Sequence, residues 1–206
     1  MLQRVRLLLI VSLAIALLGL GLLALLSQSA PQAAGLRLSN APCQTDVQGQ
    51  CLRLAQVTAT NLAGQDAEFP AVFSTPLNLV VMPFDREQQI AAALWLPVFE
   101  SLAVEGQVDY FSLAALDATR IAPLFRAIIR ETMNATVQDG GLRQRTYLVF
   151  LDDQSTFIQA LGIEDIAQMR VLILNQQGER LHLQSGPHSP ETESTLVQAL
   201  AALQSP

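Results

Sequence analysis

The sequence predicts an α/β fold of three layers, in which a mixed central sheet carries helices on both faces. Three observations lead there. Short apolar runs at residues 77–84, 108–113 and 146–151 have the length and the branched or aromatic content of strands buried on both sides. Longer segments of helical density or period lie between and after them, at 87–103, 119–137 and 154–163. A closing pair, 170–175 and 180–184, flanks the turn Gln176-Gln177-Gly178 and reads as an antiparallel hairpin, which makes the sheet mixed.

Composition removes several function classes. The net charge is −6, which argues against a nucleic-acid partner. All 12 basic residues are arginine, so neither a phosphate-loop lysine nor Schiff-base chemistry is available. The two histidines, His182 and His188, are too few for a multi-histidine metal centre. No metal and no cofactor is expected.

Taken in order, the chain divides at residues 1–26, 27–50 and 51–206. Arg4 and Arg6 precede an uncharged apolar run at residues 7–26. Twenty residues at about 1.5 Å each match a bilayer core of roughly 30 Å. The positive flank belongs on the cytoplasmic side, so the rest of the chain is expected outside the cytoplasm. Two readings of the run remain open. As a retained anchor it makes a single-pass protein of the inner membrane. Cleaved near Ser27 to Ala30, it leaves a periplasmic or secreted domain; secretory apolar segments are usually shorter, about 7 to 15 residues.

Residues 28–40 are small, polar and proline-containing, and read as a tether. Cys43 and Cys51 follow and enclose seven residues. In an exported chain they are expected to form a structural disulfide. An exposed redox pair is the alternative. Residues 52–60 and 66–73, separated by a turn at Gly64, suggest a β-hairpin ahead of the core.

Residues 77–84 form the first core strand, and Asp85 is placed to cap the helix that follows. Pro97 lies deep in that helix and predicts a kink. In the segment 119–137, Ile121, Leu124, Phe125, Ile128 and Ile129 recur at helical spacing and are expected to face the core. Arg126 and Arg130 lie off that stripe, on a solvated face. Asp152-Asp153 end the strand 146–151 and are read as helix caps rather than acid/base machinery. Ser189 or Pro190 opens the last helix.

The stretch from Phe84 to Val98 resembles the active-site segment of thioredoxins, F-W-A-x-W-C-x-x-C followed by an apolar-Pro-apolar run. Phe84 matches the phenylalanine and Leu96-Pro97-Val98 the later run, while Gln89 and Ala92 stand where the redox cysteines would be. The unit 146–163 is similar to the peroxiredoxin and redoxin insertion, and Val171 to Leu181 to the redoxin closing hairpin. Met169 occupies the position of the cis-proline that faces the cysteines in redoxins. Phe84, Arg86, Gln88, Gln89, Trp95 and Pro97 also resemble the thioredoxin-like family of mitochondrial ATP-synthase assembly factors and their bacterial relatives.

The resemblance implies a thioredoxin-like domain without its thiols. The function expected is that of a redox-silent binding or assembly module for a protein partner, such as a membrane complex. The candidate binding residues are Asp85, Arg86, Gln88, Gln89 and Met169, with no catalytic residue. A thiol-disulfide oxidoreductase working through Cys43 and Cys51 is the alternative.

Overall fold

The strand expected at 77–84 lies inside the sheet, as β3 (Leu77–Met82), with all six residues buried. A strand with neighbours on both edges and helices on both faces has no side that tolerates a bare polar group. The computed structural model describes residues 43–205, within the compact unit Leu38–Pro206. The anchor and tether expected at 7–26 and 28–40 lie outside the described residues. Among the described residues, no helix is long and apolar enough to cross a membrane.

The remaining strands are β1 (Val57–Asn61), β2 (Asp66–Phe69), β4 (Val108–Asp117), β5 (Thr146–Leu151), β6 (Arg170–Asn175) and β7 (Arg180–Ser185). They form one seven-stranded sheet in the order β2-β1-β5-β4-β3-β6-β7. The contacts β3–β4 and β4–β5 are parallel, and all the others are antiparallel. The expected mixed sheet and its leading hairpin are therefore both present.

Among the described residues, six α-helices accompany the strands: α1 (Arg86–Ala92), α2 (Leu96–Leu102), α3 (Pro123–Thr136), α4 (Gly140–Arg145), α5 (Gln154–Ala160) and α6 (Pro190–Gln204). Successive strand residues point to opposite faces, which divides the core in two. Leu77, Leu79 and Val81 pack with Trp95, Leu96 and Phe99 of the α1–α2 segment and with Leu196 and Leu200 of α6. Val80 and Met82 pack on the other side with Phe111, Leu113, Leu172 and Phe157 of α5.

Four elements differ from the sequence expectation, the simplest being α4, a helix that starts at Gly140 under an Asp139 cap where none was expected. The helix expected over 87–103 is broken, not kinked. In a continuous helix the Pro97 ring would meet the carbonyl of Ala93. Leu94 N and Trp95 N instead bond back three residues, to Ala91 O at 3.2 Å and Ala92 O at 3.0 Å. Pro97 then stands in the first turn of α2, where its missing N–H costs nothing.

The strand expected at 108–113 continues to Asp117, carrying Ala114 and Ala115 on register with Leu148 and Val149 of β5. Alanine is a poor strand former, and sheet pairing overrides it.

The fourth difference lies in α3. Ile129 and Met133 face the sheet over Leu62, Ala114 and Leu148, but Leu124, Phe125 and Ile128 are 75%, 56% and 51% exposed. Arg126, expected on the solvated side, turns inward. It donates to Ala118 O at 3.2 Å and lies over the Phe150 ring at 5.5 Å. Two adjacent stripes of one helix read alike in sequence, and the inward one here includes Arg126.

Phe69 joins the hairpin to the core. Its fully buried ring meets Phe73, Phe111 and Tyr147 edge-on, at centroid distances of 5.5, 5.7 and 4.9 Å. Phe69→Ala is expected to lower unfolding free energy by about 3–5 kcal/mol, and Phe69→Leu by less than half of that. Urea titration of both variants measures this. A loss below about 1 kcal/mol for the alanine variant would mean that the hairpin is not part of the cooperative core.

Candidate functional site

Parallel strands deliver their carboxyl ends to one edge of a sheet, and open α/β folds bind ligands along that edge. Here β3 leads into Pro83, Phe84 and Asp85, and β4 into Leu116 and Asp117. Pro83 O accepts from Ala115 N at 3.0 Å, so the two exits run side by side. Asp85 caps α1 as expected, accepting from Gln88 N at 2.8 Å.

Gln88 has a second task. Its Oε1 accepts from Phe84 N at 3.0 Å, and its Nε2 donates to Ile166 O at 2.8 Å. One side chain thus joins the turn after β3 to the loop before β6. On the other wall, Gln154 of α5 donates to Ala115 O at 2.7 Å.

Between these walls lies a groove of about 810 Å³. Its floor is apolar, made by Phe84, Leu116, Ile121, Ile158 and Ile166, and its rim carries Asp85, Arg86, Asp117, Arg120, Glu164 and Asp165. Most rim charges are engaged. Asp117 pairs with Arg120 at 2.9 Å, and Asp165 with Arg170 at 3.0 Å. The Thr119 hydroxyl, donating at 2.6 Å, holds the Asp117 carboxyl below its ordinary range, and Arg120 adds to that effect. The side chains of Arg86 and Glu164 make no hydrogen bond or ion pair among the described residues.

The groove offers no cysteine, histidine, serine or threonine. It presents an apolar slot with the Arg86 guanidinium and the Glu164 carboxylate at its rim. Of the residues read from sequence, Asp85 and Arg86 line the groove and Gln88 fixes its width. Gln89 is half-buried beside them and lines no part of it. Met169 corrects the expectation. It is 2% exposed, in the core cluster that holds Trp95, Val171 and Leu196, and lines no part of the groove.

Sequence reasoning missed Leu116, Ile121, Gln154, Ile158, Glu164 and Ile166. The signal lay in β4: a parallel neighbour of β3 must end at the same edge, and ending the strand at residue 113 hid that.

Cys43 and Cys51 form a disulfide with a Cα–Cα distance of 5.5 Å. It clips a loop onto the β6–β7 hairpin, with Gln44 N donating to Arg180 O and Arg180 N to Leu52 O, both at 2.8 Å. The turn of that hairpin lies beside Leu77, whereas the groove opens beyond Met82. The bridge thus stands at the opposite end of β3. The two sulfurs and a Glu179 carboxylate oxygen lie within 4.8 Å of one another, but sulfurs bonded to each other supply no thiolate to a metal.

Asp153 caps α5 as the sequence suggested. It accepts from Thr156 N at 3.0 Å, Thr156 Oγ1 at 2.6 Å and Ser155 Oγ at 2.7 Å. Led by the Thr156 hydroxyl, these donors bring its carboxyl down to about 2. A depressed carboxyl stabilises the fold above its unfolded value near 3.9 and loses that contribution as pH falls toward 2. Asp153→Asn keeps a cap without the charge. It is therefore expected to flatten the fall of melting temperature between about pH 4 and pH 2, relative to wild type. An unchanged slope would remove Asp153 from the acid response.

No protein-family model matches the chain, and no curated protein matches it. Solved structures do. A putative electron transfer protein from Aquifex aeolicus VF5 aligns over 75% of this chain and 97% of its own, at 12% identity and a TM-score of 0.51. A putative electron transport protein from the same organism aligns over 74% and 96%, at 12% identity and a TM-score of 0.50. The exposed lipoprotein thioredoxin Etrx1 of Streptococcus pneumoniae strain TIGR4 aligns over 72% and 99%, at 10% identity and a TM-score of 0.48. Identities this low speak for the fold alone. By its fold, the chain is similar to the two Aquifex aeolicus proteins.

Proposed function

We propose that the chain is an exported, membrane-tethered and redox-silent thioredoxin-like module that holds a polypeptide segment of a membrane or envelope partner in the groove at the carboxyl end of β3. One observation carries the reading. Where the fold normally presents its reactive thiols, this chain has a free arginine fork over an apolar slot. Apolar floors bury alternate side chains of an extended segment, and a guanidinium can grip its carbonyls or a carboxylate through two parallel donors. The apolar run at 7–26 and the likeness to assembly factors between Phe84 and Pro97 support a partner in or near a membrane.

The alternative, an oxidoreductase using Cys43 and Cys51, has the disulfide itself in its favour. One feature weighs against it: the neighbouring Glu179 carboxylate disfavours a thiolate. A loop of this length constrains the unfolded chain by roughly 2–3 kcal/mol in the entropic account, which is a sufficient structural role.

Two measurements test the proposal. A photo-crosslinking residue at Ile121, on the groove floor, is expected to trap a polypeptide in native membranes. Arg86→Ala is expected to weaken that capture by roughly 1.5–3 kcal/mol at an unchanged melting temperature. Arg86→Lys is also expected to bind poorly, because an ammonium lacks the planar fork. Wild-type capture by a folded Arg86→Ala protein would end the role of the arginine. Insulin- and peroxide-reductase activity are expected at background. Turnover that disappears in Cys43→Ser would establish the oxidoreductase instead.

A further inference from the structure

We infer that Cys43, Cys51 and Glu179 form a redox-gated metal site: reduction of the disulfide frees two thiolates that, with the Glu179 carboxylate, hold a divalent cation of the zinc class.

The three ligand atoms meet although Glu179 lies far along the chain, so a count of neighbouring residues misses the third ligand. The two sulfurs and a Glu179 carboxylate oxygen lie within 4.8 Å of one another, and all three residues are half-buried, within reach of solvent. Zinc arms of about 2.0–2.3 Å require ligand atoms roughly 3.3–3.8 Å apart in a tetrahedron. Side-chain rotation supplies that separation once the S–S bond is open, since the two Cα atoms stand 5.5 Å apart.

Backbone bonds keep these residues in place without help from the bridge. Gln44 N donates to Arg180 O, Arg180 N to Leu52 O and Leu52 N to Gln44 O, each at 2.8 Å. Within the loop, Asp46 Oδ1 accepts from Gln48 N and Gln50 N, both at 2.9 Å. Asn175 orients the third ligand: its Nδ2 donates to Glu179 Oε2 at 2.7 Å, and its Oδ1 accepts from Glu179 N at 2.9 Å. Such an outer partner fixes a ligating carboxylate while leaving it oxygen lone pairs for the metal. Among the described residues no arginine pairs with Glu179. Arg53 stands across the ladder without an ion pair, and the Arg180 guanidinium donates to Leu161 O and Gly162 O.

The chemistry balances. A dithiol reductant passes two electrons and two protons to the cystine and closes to its own disulfide. The cation then displaces both thiol protons to solvent, and its charge offsets all but one of the three negative charges around it. Glu179, which disfavours thiolates in the metal-free protein, becomes a ligand beside them. Two thiolates discriminate against magnesium and calcium, and the carboxylate favours zinc over a soft monovalent ion. Three protein ligands leave a fourth position for water.

The full chain in detergent, reduced with a phosphine that is removed before titration, tests this. The phosphine takes an oxygen from water as its oxide and leaves both cysteines as thiols. Cd²⁺ is expected to raise a thiolate-to-metal charge-transfer band that saturates at one ion per chain, and Zn²⁺ to displace it. The oxidised protein is expected to show no band. Glu179→Gln, with the same shape and no charge, is expected to weaken Cd²⁺ binding roughly tenfold or more. Zn²⁺ is expected to slow alkylation of both thiols of the reduced wild-type protein about tenfold, a readout that needs no variant.

Reduced protein without the band and without protection from alkylation overturns the site. Equal affinity in Glu179→Gln reduces it to chelation by two thiols, which overturns the third ligand. Saturation at one ion per two chains means that the cation bridges copies, and binding by the oxidised protein means that it sits elsewhere; either result overturns the inference.

Discussion

Everything in this fold follows from the complete burial of β3. A strand enclosed on both faces and both edges must satisfy its polar groups without water. Its one polar side chain, Asn78, does so locally, accepting from Thr75 Oγ1 at 3.0 Å and donating to Thr75 O at 3.0 Å. Once β3 is fixed, the parallel β4 and the antiparallel β6 follow on its two edges, and the alternation of its side chains allots the helices to the two faces. The groove inherits its position from the same constraint. It lies where β3 and β4 run out together and the backbone regains access to solvent.

The groove at that edge is built from few parts. The floor comes from residues that end strands or open helices, and the rim from charges that are mostly neutralised by neighbours. A site whose charges are already paired discriminates by the ones left over. Here those are the Arg86 guanidinium and the Glu164 carboxylate.

Much of this was legible in the sequence, for identifiable reasons. Continuous apolar runs revealed β3, β5 and β6, and Gly178 at φ 77° marked the turn that its Cβ-free backbone allows. Gly162 closes α5 in the left-handed region, where a Cβ would lie 2.9 Å from both Leu52 and Arg180, so the helical segment read as 154–163 stops at Ala160. Asp85 and Arg86 were found because they follow β3 directly. Gln88 was noticed as a candidate binder, but its task as a staple depends on a loop 78 residues away that no local pattern reports. The inward face of α3 was misread because an apolar stripe on a surface and one in a core have the same period.

The Gln88 amide has a consequence for the conditions under which the groove keeps its shape. It joins two walls by accepting from one backbone amide and donating to one backbone carbonyl. An amide neither titrates near neutrality nor changes oxidation state. The clamp itself therefore holds through changes of oxidant or acidity, whatever these do to the carboxylates of the rim.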